Sequence, residues 1–310
     1  MEENLHIRTL IDQYLEYIKY EKLSSPSTVN VRFYELRLFR EYMEQEFAVN
    51  ELQEVKMHQL RNYITHLHGA GYQPVSLANT ISTLRALYDF ALDRGAITTD
   101  LAQRLKKPQV DKKEVEHFTW EEVESLFLAV LPGGNYLRDL CLLLILYYCG
   151  LRVEELSRIR KSDLNDDFSE LYVEKGKGDK SRLLPVHPFL QRTLRLYMET
   201  GLKENMKISA SPFLFPGKSN GPLSKDRIYR IVRECGARTG IEKRVSPHIF
   251  RHSFVTHLHQ KGVDINCLAQ LLGHVNIEKT AVYTHIEDDV LTEAVLKLKE
   301  DGVVWRIRLK

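Results

Sequence analysis

No stretch of this chain is apolar for long enough to cross a bilayer. The longest such run, Leu140–Cys149, is about half of what a membrane span needs, and is expected as a buried helix. Met1-Glu2-Glu3-Asn4 is acidic, and no basic segment leads into an apolar one. No secretory signal is therefore expected, and the cytoplasm is the expected compartment. Cysteine is scarce: Cys141, Cys149, Cys235 and Cys267 form no CxxC pair. That argues against a disulfide framework and for reduced, buried thiols. A charge excess is missing too, since the formal net charge is only +2. Near-neutrality neither demands nor excludes nucleic acid, because DNA binding needs a local basic surface and not a basic total.

Two lysines beside glycines are not phosphate loops. After Gly176-Lys177 comes Gly178 in place of Ser or Thr, with Leu171 where the leading glycine belongs. Gly217-Lys218-Ser219 fails at the same leading position, occupied by Pro212. His248 and His252 have i,i+4 spacing, but no HExxH glutamate and no cysteine or carboxylate set completes a metal site. Neither a metal nor a cofactor is expected. With 43% hydrophobic and 28% charged residues, what is left is an ordinary globular chain with room for two domains.

The first hundred residues carry helical periodicity. Leu10, Ile11, Tyr14, Leu15 and Ile18 form one apolar face. Ser24-Ser25-Pro26-Ser27 is a start signal for a second helix bearing Val29, Phe33, Leu36, Phe39 and Tyr42-Met43. Val55, Leu60, Ile64 and Leu67 mark a third, closed by Gly69 to Gly71, and a fourth runs from Val75 to Leu92 and stops at Gly95. A small helical bundle over 1–107 follows. Residues 108–116, polar and charged, are expected as a linker. Thr119-Trp120-Glu121-Glu122 has the form of a capping box and opens a mixed domain over 117–310. Helices are expected over Val123–Val130, Leu137–Cys149 and just after Gly150. Leu171–Glu174 and Leu183–Val186 are expected as strands joined by a hairpin at Gly176-Lys177-Gly178-Asp179, with Phe213-Leu214-Phe215 as a further short strand.

Four stretches carry chemistry, each commonplace when taken singly. In Ser246-Pro247-His248-Ile249-Phe250-Arg251-His252, a serine cap and a proline at the first helical position start a helix. His248 and Arg251 share its face beside the positive end of the dipole, where an anion is favoured. By itself this is more often a helix start with one buried histidine and a solvated arginine. Gly150-Leu151-Arg152-Val153-Glu154-Glu155 places an arginine at the end of a buried helix, with Glu155 available to hold it. An ordinary Arg–Glu pair would look the same. Lys177, between two glycines, is an exposed and swinging amine. In Leu271-Leu272-Gly273-His274, Asp264 could cap the helix and Gly273 end it, while Asn276 could start the next helix, bearing Tyr283.

In this order and together, these elements resemble the tyrosine recombinase (phage integrase) family, and within it the Xer type. Gly150-Leu151-Arg152 with Glu155 resembles the first arginine motif and Gly176-Lys177-Gly178 the lysine hairpin. His248-x-x-Arg251-His252, Leu272-Gly273-His274 and Tyr283, nine residues beyond His274, complete the set. Phe250 departs from the family's usual leucine, and the tail 302–310 has no recognised pattern. At 310 residues there is no room for the arm-type domain of larger phage integrases, which favours a Xer-like or simple transposon-borne enzyme.

The resemblance implies a mainly α fold with a small β-sheet: an N-terminal SAM-like core-binding bundle and a mixed α+β catalytic domain of the DNA breaking–rejoining type, whose C-terminal tail contacts a neighbouring protomer. It implies the catalytic residues Arg152, Lys177, His248, Arg251, His274 and Tyr283, with Tyr283 as nucleophile and Glu155 supporting them. The partner implied is double-stranded DNA with inverted-repeat sites, clamped between the domains. Four protomers, all alike or shared with a related recombinase, would pass through a Holliday junction, with no ATP, metal or membrane. A type IB topoisomerase-like relaxing enzyme shares the catalytic set. It is told apart by whether two plasmid sites recombine or supercoils merely relax. A DNA-binding relative without catalysis is told apart by covalent trapping on a nicked substrate.

Overall fold

The computed structural model describes residues 6–109, 116–130, 135–174, 181–204, 210–273 and 288–299, with the backbone alone at 201–204. The chain divides into two compact units, Met1–Lys113 and Glu114–Lys310.

The first unit is helical. Helix α1 (Ile7–Glu16) continues through a wider turn at Tyr17–Glu21 and is followed by α2 (Pro26–Phe47), α3 (Met57–Gly69) and α4 (Pro74–Asp93). Ser25 caps α2 by accepting the Thr28 amide at 3.2 Å, with Pro26 at the first helical position. The periodic residues form the core: Leu10, Tyr14, Leu36, Phe39, Met43, Leu60 and Leu67 are all buried. Phe33, expected on the same face of α2, is instead exposed, with its ring edge-on to that of Tyr34. Arg85 of α4 ties down the end of the unit, donating to the carbonyls of Ala102 (3.3 Å) and Leu105 (2.7 Å).

The second unit begins at the capping box. Thr119 Oγ1 accepts the Glu122 amide at 3.3 Å, and Glu122 Oε2 accepts the Thr119 amide at 2.7 Å, opening α5 (Trp120–Leu128). Helix α6 (Tyr136–Tyr148) is buried on every side from Leu140 onward, as its unbroken apolar run requires. Around it follow α7 (Val153–Arg158), strands β1 (Glu170–Val173) and β2 (Arg182–Pro185), and α8 (Pro188–Glu204). The chain then forms α9 (Lys225–Gly236), α10 (Pro247–Gln260), α11 (Ile265–Leu272) and α12 (Asp288–Leu296). Helices α8 and α10 pack on α6. Buried Ser253 of α10 accepts the Phe118 amide and donates to Ile249 O, both at 2.7 Å, anchoring the start of the unit.

The strands pair antiparallel, with Leu171 opposite Leu184, Tyr172 opposite Leu183 and Val173 opposite Arg182. Phe213 makes only an isolated bridge to Arg160 in place of the short strand expected there. All four cysteines are free and buried. No described helix is long and apolar enough to cross a membrane.

Candidate active site

The site is assembled from the ends of helices. Between α6 and α7 the chain reverses at Gly150, whose φ of +58° L side chains rarely adopt. An added Cβ there would also lie 2.5 Å from the ring of buried Phe254. This turn delivers Arg152 to the N-cap of α7 in extended conformation (φ −71°, ψ 151°). Its amide donates to Glu155 Oε2 at 2.8 Å, the half of a capping box that an arginine cap can make.

Glu155 gathers charge. Oε1 accepts from Arg182 Nη1 at 2.9 Å and Oε2 from Arg182 Nη2 at 3.1 Å, a forked pair. Arg152 Nη1 stands 3.6 Å from Oε1, and Arg251 Nη1 stands 3.9 Å from Oε2. One carboxylate thus lies among three guanidiniums. Burial pushes its pKa up, but the Arg182 fork and charge, the Arg152 amide and the Arg251 charge outweigh it and hold the carboxyl below its usual range. Accessibility separates the arginines. The side chains of Arg182 and Arg251 are 6% and 9% exposed, that of Arg152 30%.

Arg251 lies on the first turns of α10, where it donates to Gly150 O at 2.6 Å and to Leu272 O at 3.0 Å. It therefore joins the end of α6 to the end of α11. His248, one turn earlier, is exposed. The two do share the start of α10, but one is inside and the other outside. Ser246 occupies the N-cap without a side-chain bond, and its backbone carbonyl takes the Ile249 amide at 3.1 Å. His252 is held below the usual imidazole range by desolvation, then by the charges of His248 and Arg251. Beside them, exposed Glu154 pairs with Lys225 Nζ at 3.1 Å. Cys149, behind Arg182, has its thiol pushed up to about 12 by burial and stays protonated.

Asp264 caps α11 through the Asn266 amide at 2.8 Å, and Gly273 ends it at φ +71°. Of the residues expected at the site, Arg152, Glu155 and Arg251 come together, with His248 at the start of the same helix as Arg251. Lys177, His274 and Tyr283 lie outside the described residues, as does the tail 302–310. Arg182 was not anticipated. The strand begins one residue earlier than expected, with Arg182 and Leu184 turned inward and Leu183 out.

The chain matches the Phage integrase family over residues 116–289 and the Phage integrase, N-terminal SAM-like domain over residues 11–95. Tyrosine recombinase XerD of Staphylococcus aureus is 31% identical over 281 residues, spanning 90% of this chain and 95% of that protein. XerD of Staphylococcus epidermidis is 30% identical over the same shares. Among solved structures, a lambda integrase dimer bound to a COC′ core site superposes with a TM-score of 0.70 at 19% identity, over 88% of this chain and 75% of that one. A lambda integrase tetramer bound to a Holliday junction gives 0.69 at 20% identity, over 90% and 80%. At these identities the structures establish a shared fold. The chain belongs to the phage integrase family.

Proposed function

We propose that this protein is a site-specific DNA recombinase that cleaves and rejoins DNA through a 3′-phosphotyrosine at Tyr283. The observation that carries the reading is the Glu155 cluster, in which arginines about a hundred residues apart in the chain meet at one carboxylate. The reading also draws support from the XerD relatives, which are tyrosine recombinases of nearly the same length.

A phosphodiester is an anion, and attack on phosphorus by an oxygen nucleophile builds further charge on its nonbridging oxygens. The guanidiniums of Arg152 and Arg251 supply positive charge and N–H donors for it. Glu155 orders Arg152, the most accessible arginine of the cluster. In this reading the exposed His248 takes the Tyr283 proton, since a phenol with an ordinary pKa near 10 needs such help. His274 adds a hydrogen bond, and Lys177 protonates the departing 5′-oxygen. The O–P bond to Tyr283 conserves the energy of the broken linkage, so a 5′-hydroxyl from a partner duplex reverses the step. DNA is the partner, and copies of the chain assemble on it. We assign residues 1–107 to DNA grip, 108–116 to a linker and 117–310 to catalysis. A tetramer on inverted-repeat sites, of one chain or two related ones, completes the proposal.

The test uses a nicked suicide duplex carrying a site that the wild-type protein selects from random-sequence DNA. Wild type should form a covalent adduct, and Tyr283→Phe should bind equally well and form none. An adduct of undiminished yield from Tyr283→Phe moves the nucleophile elsewhere. The absence of any wild-type adduct sinks the whole reading.

A further inference from the structure

Arg182 stands outside the motifs, yet it is the side chain that joins them. It opens β2, five residues beyond Lys177 in the sequence. Of the five N–H donors of a guanidinium, three are committed: Nε to Leu271 O at 2.8 Å, and the two terminal nitrogens to the two oxygens of Glu155 at 2.9 and 3.1 Å. All three of its nitrogens donate to protein groups and it lies outside the residues assigned to the phosphate above, so we do not read it as a catalytic residue. What it grips are the parts that place the catalytic arginines. The Glu155 oxygens that it fixes receive the Arg152 amide and face the guanidiniums of Arg152 and Arg251. The carbonyl it takes, Leu271 O, precedes the one taken by Arg251, Leu272 O.

The next residue closes this arrangement from above. Gly273 has φ +71°, and a Cβ there would fall 2.8 Å from Arg182 Nη1 and 3.2 Å from its Cδ. The absent side chain lets the guanidinium lie flat under the end of α11. Lysine could not substitute, because a single ammonium cannot fork across a carboxylate and reach a carbonyl in the same plane.

We infer that Arg182 is a positioning residue for DNA cleavage, locking Glu155 to the last turn of α11 so that Arg152 and Arg251 meet one phosphate in register. The inference rests on the recombinase reading above. It is tested with Arg182→Lys on the same nicked duplex, under single turnover. Displacing a phosphate-binding guanidinium by about 1 Å costs on the order of 10²-fold in rate, and that is the loss expected in adduct formation. DNA affinity should stay within about threefold, because Arg182 does not touch DNA. In an Arg152→Ala background the same exchange should cost roughly tenfold less, since a residue acting through Arg152 has less left to misplace. A merely structural loss would add in full.

An unchanged cleavage rate, full additivity, or a fall in affinity equal to the fall in rate each overturns the inference while the wild-type adduct keeps the recombinase reading intact. Failure of wild type to form an adduct removes both. Should Arg182→Lys be unfolded by circular dichroism, Gly273→Ala retains the arginine and drives its guanidinium aside. The same rate loss is expected, and a wild-type rate overturns the inference.

Discussion

Glu155→Gln isolates the charge at the centre of the cluster without altering its shape. In the native protein Oε1 accepts from one Arg182 nitrogen and Oε2 from the other, with the Arg152 amide also on Oε2. Whichever way the glutamine amide is turned, its NH₂ must face a guanidinium N–H. One donor is left opposing another, and a 6%-exposed arginine loses its counter-charge. Breaking a buried pair from one side costs about 3–5 kcal/mol, and we expect about 3 kcal/mol because the amide keeps one acceptor. For a unit the size of Glu114–Lys310, each kcal/mol moves the melting point by roughly 2–4 °C, so a fall of roughly 6–12 °C is expected near pH 7. The pH dependence has a definite sign. Glu155 is depressed in the folded state, so its contribution is present above the ordinary glutamate pKa and is lost as pH falls through the lower folded value. The gap between wild type and Glu155→Gln should therefore be full at pH 7 and close on the acid side of about pH 4. Paired urea melts across that range measure it. A gap under about 0.5 kcal/mol at pH 7, the size of an ordinary surface substitution, would refute the argument. So would a gap independent of pH.

Arg152→Ala or Arg251→Ala should slow single-turnover cleavage by roughly 10²-fold or more, as loss of a donor to a developing oxyanion does; near-normal rates would remove these side chains from the phosphate. Binding of duplex DNA should weaken steeply between about 50 and 200 mM salt through counterion release, measured by fluorescence anisotropy, and a flat response would rule out a backbone-gripping mode. Gly150→Ala meets both a positive φ and Phe254 at 2.5 Å, so a loss of about 1–3 kcal/mol is expected in denaturant melts; wild-type stability would show that the turn relaxes freely.

The helices were legible because their apolar spacing, caps and glycine stops agree with one another, as at Ser25, Thr119 and Gly273. The first arginine motif was legible for the same reason: a glycine, an arginine and a glutamate in that order already describe a turn and a half-made cap. Arg182 was not legible. A lone arginine after a polar hairpin looks solvated, and two adjacent leucines at 183 and 184 leave open which of them faces inward. Glu155 and the Leu271 carbonyl hold the guanidinium of Arg182 inside, and the alternation of the strand then buries Leu184 and leaves Leu183 and its partner Tyr172 on the outer face. The division of labour between His248 and Arg251 was hidden similarly. Helical spacing puts both at one end of α10, but only the packing of α6 and α11 decides which is enclosed.

The bond from Arg251 to the Gly150 carbonyl has a practical consequence for anyone redirecting this protein to new DNA targets. Because the acceptor is main chain, no exchange of side chain at position 150 can tune it gently; it is either kept or lost with the turn itself. Libraries built to alter target preference should therefore leave 150–155, 182 and 271–273 untouched and draw their diversity from outward-facing helix surfaces, where a change in what is recognised carries no change in how the strand is cut.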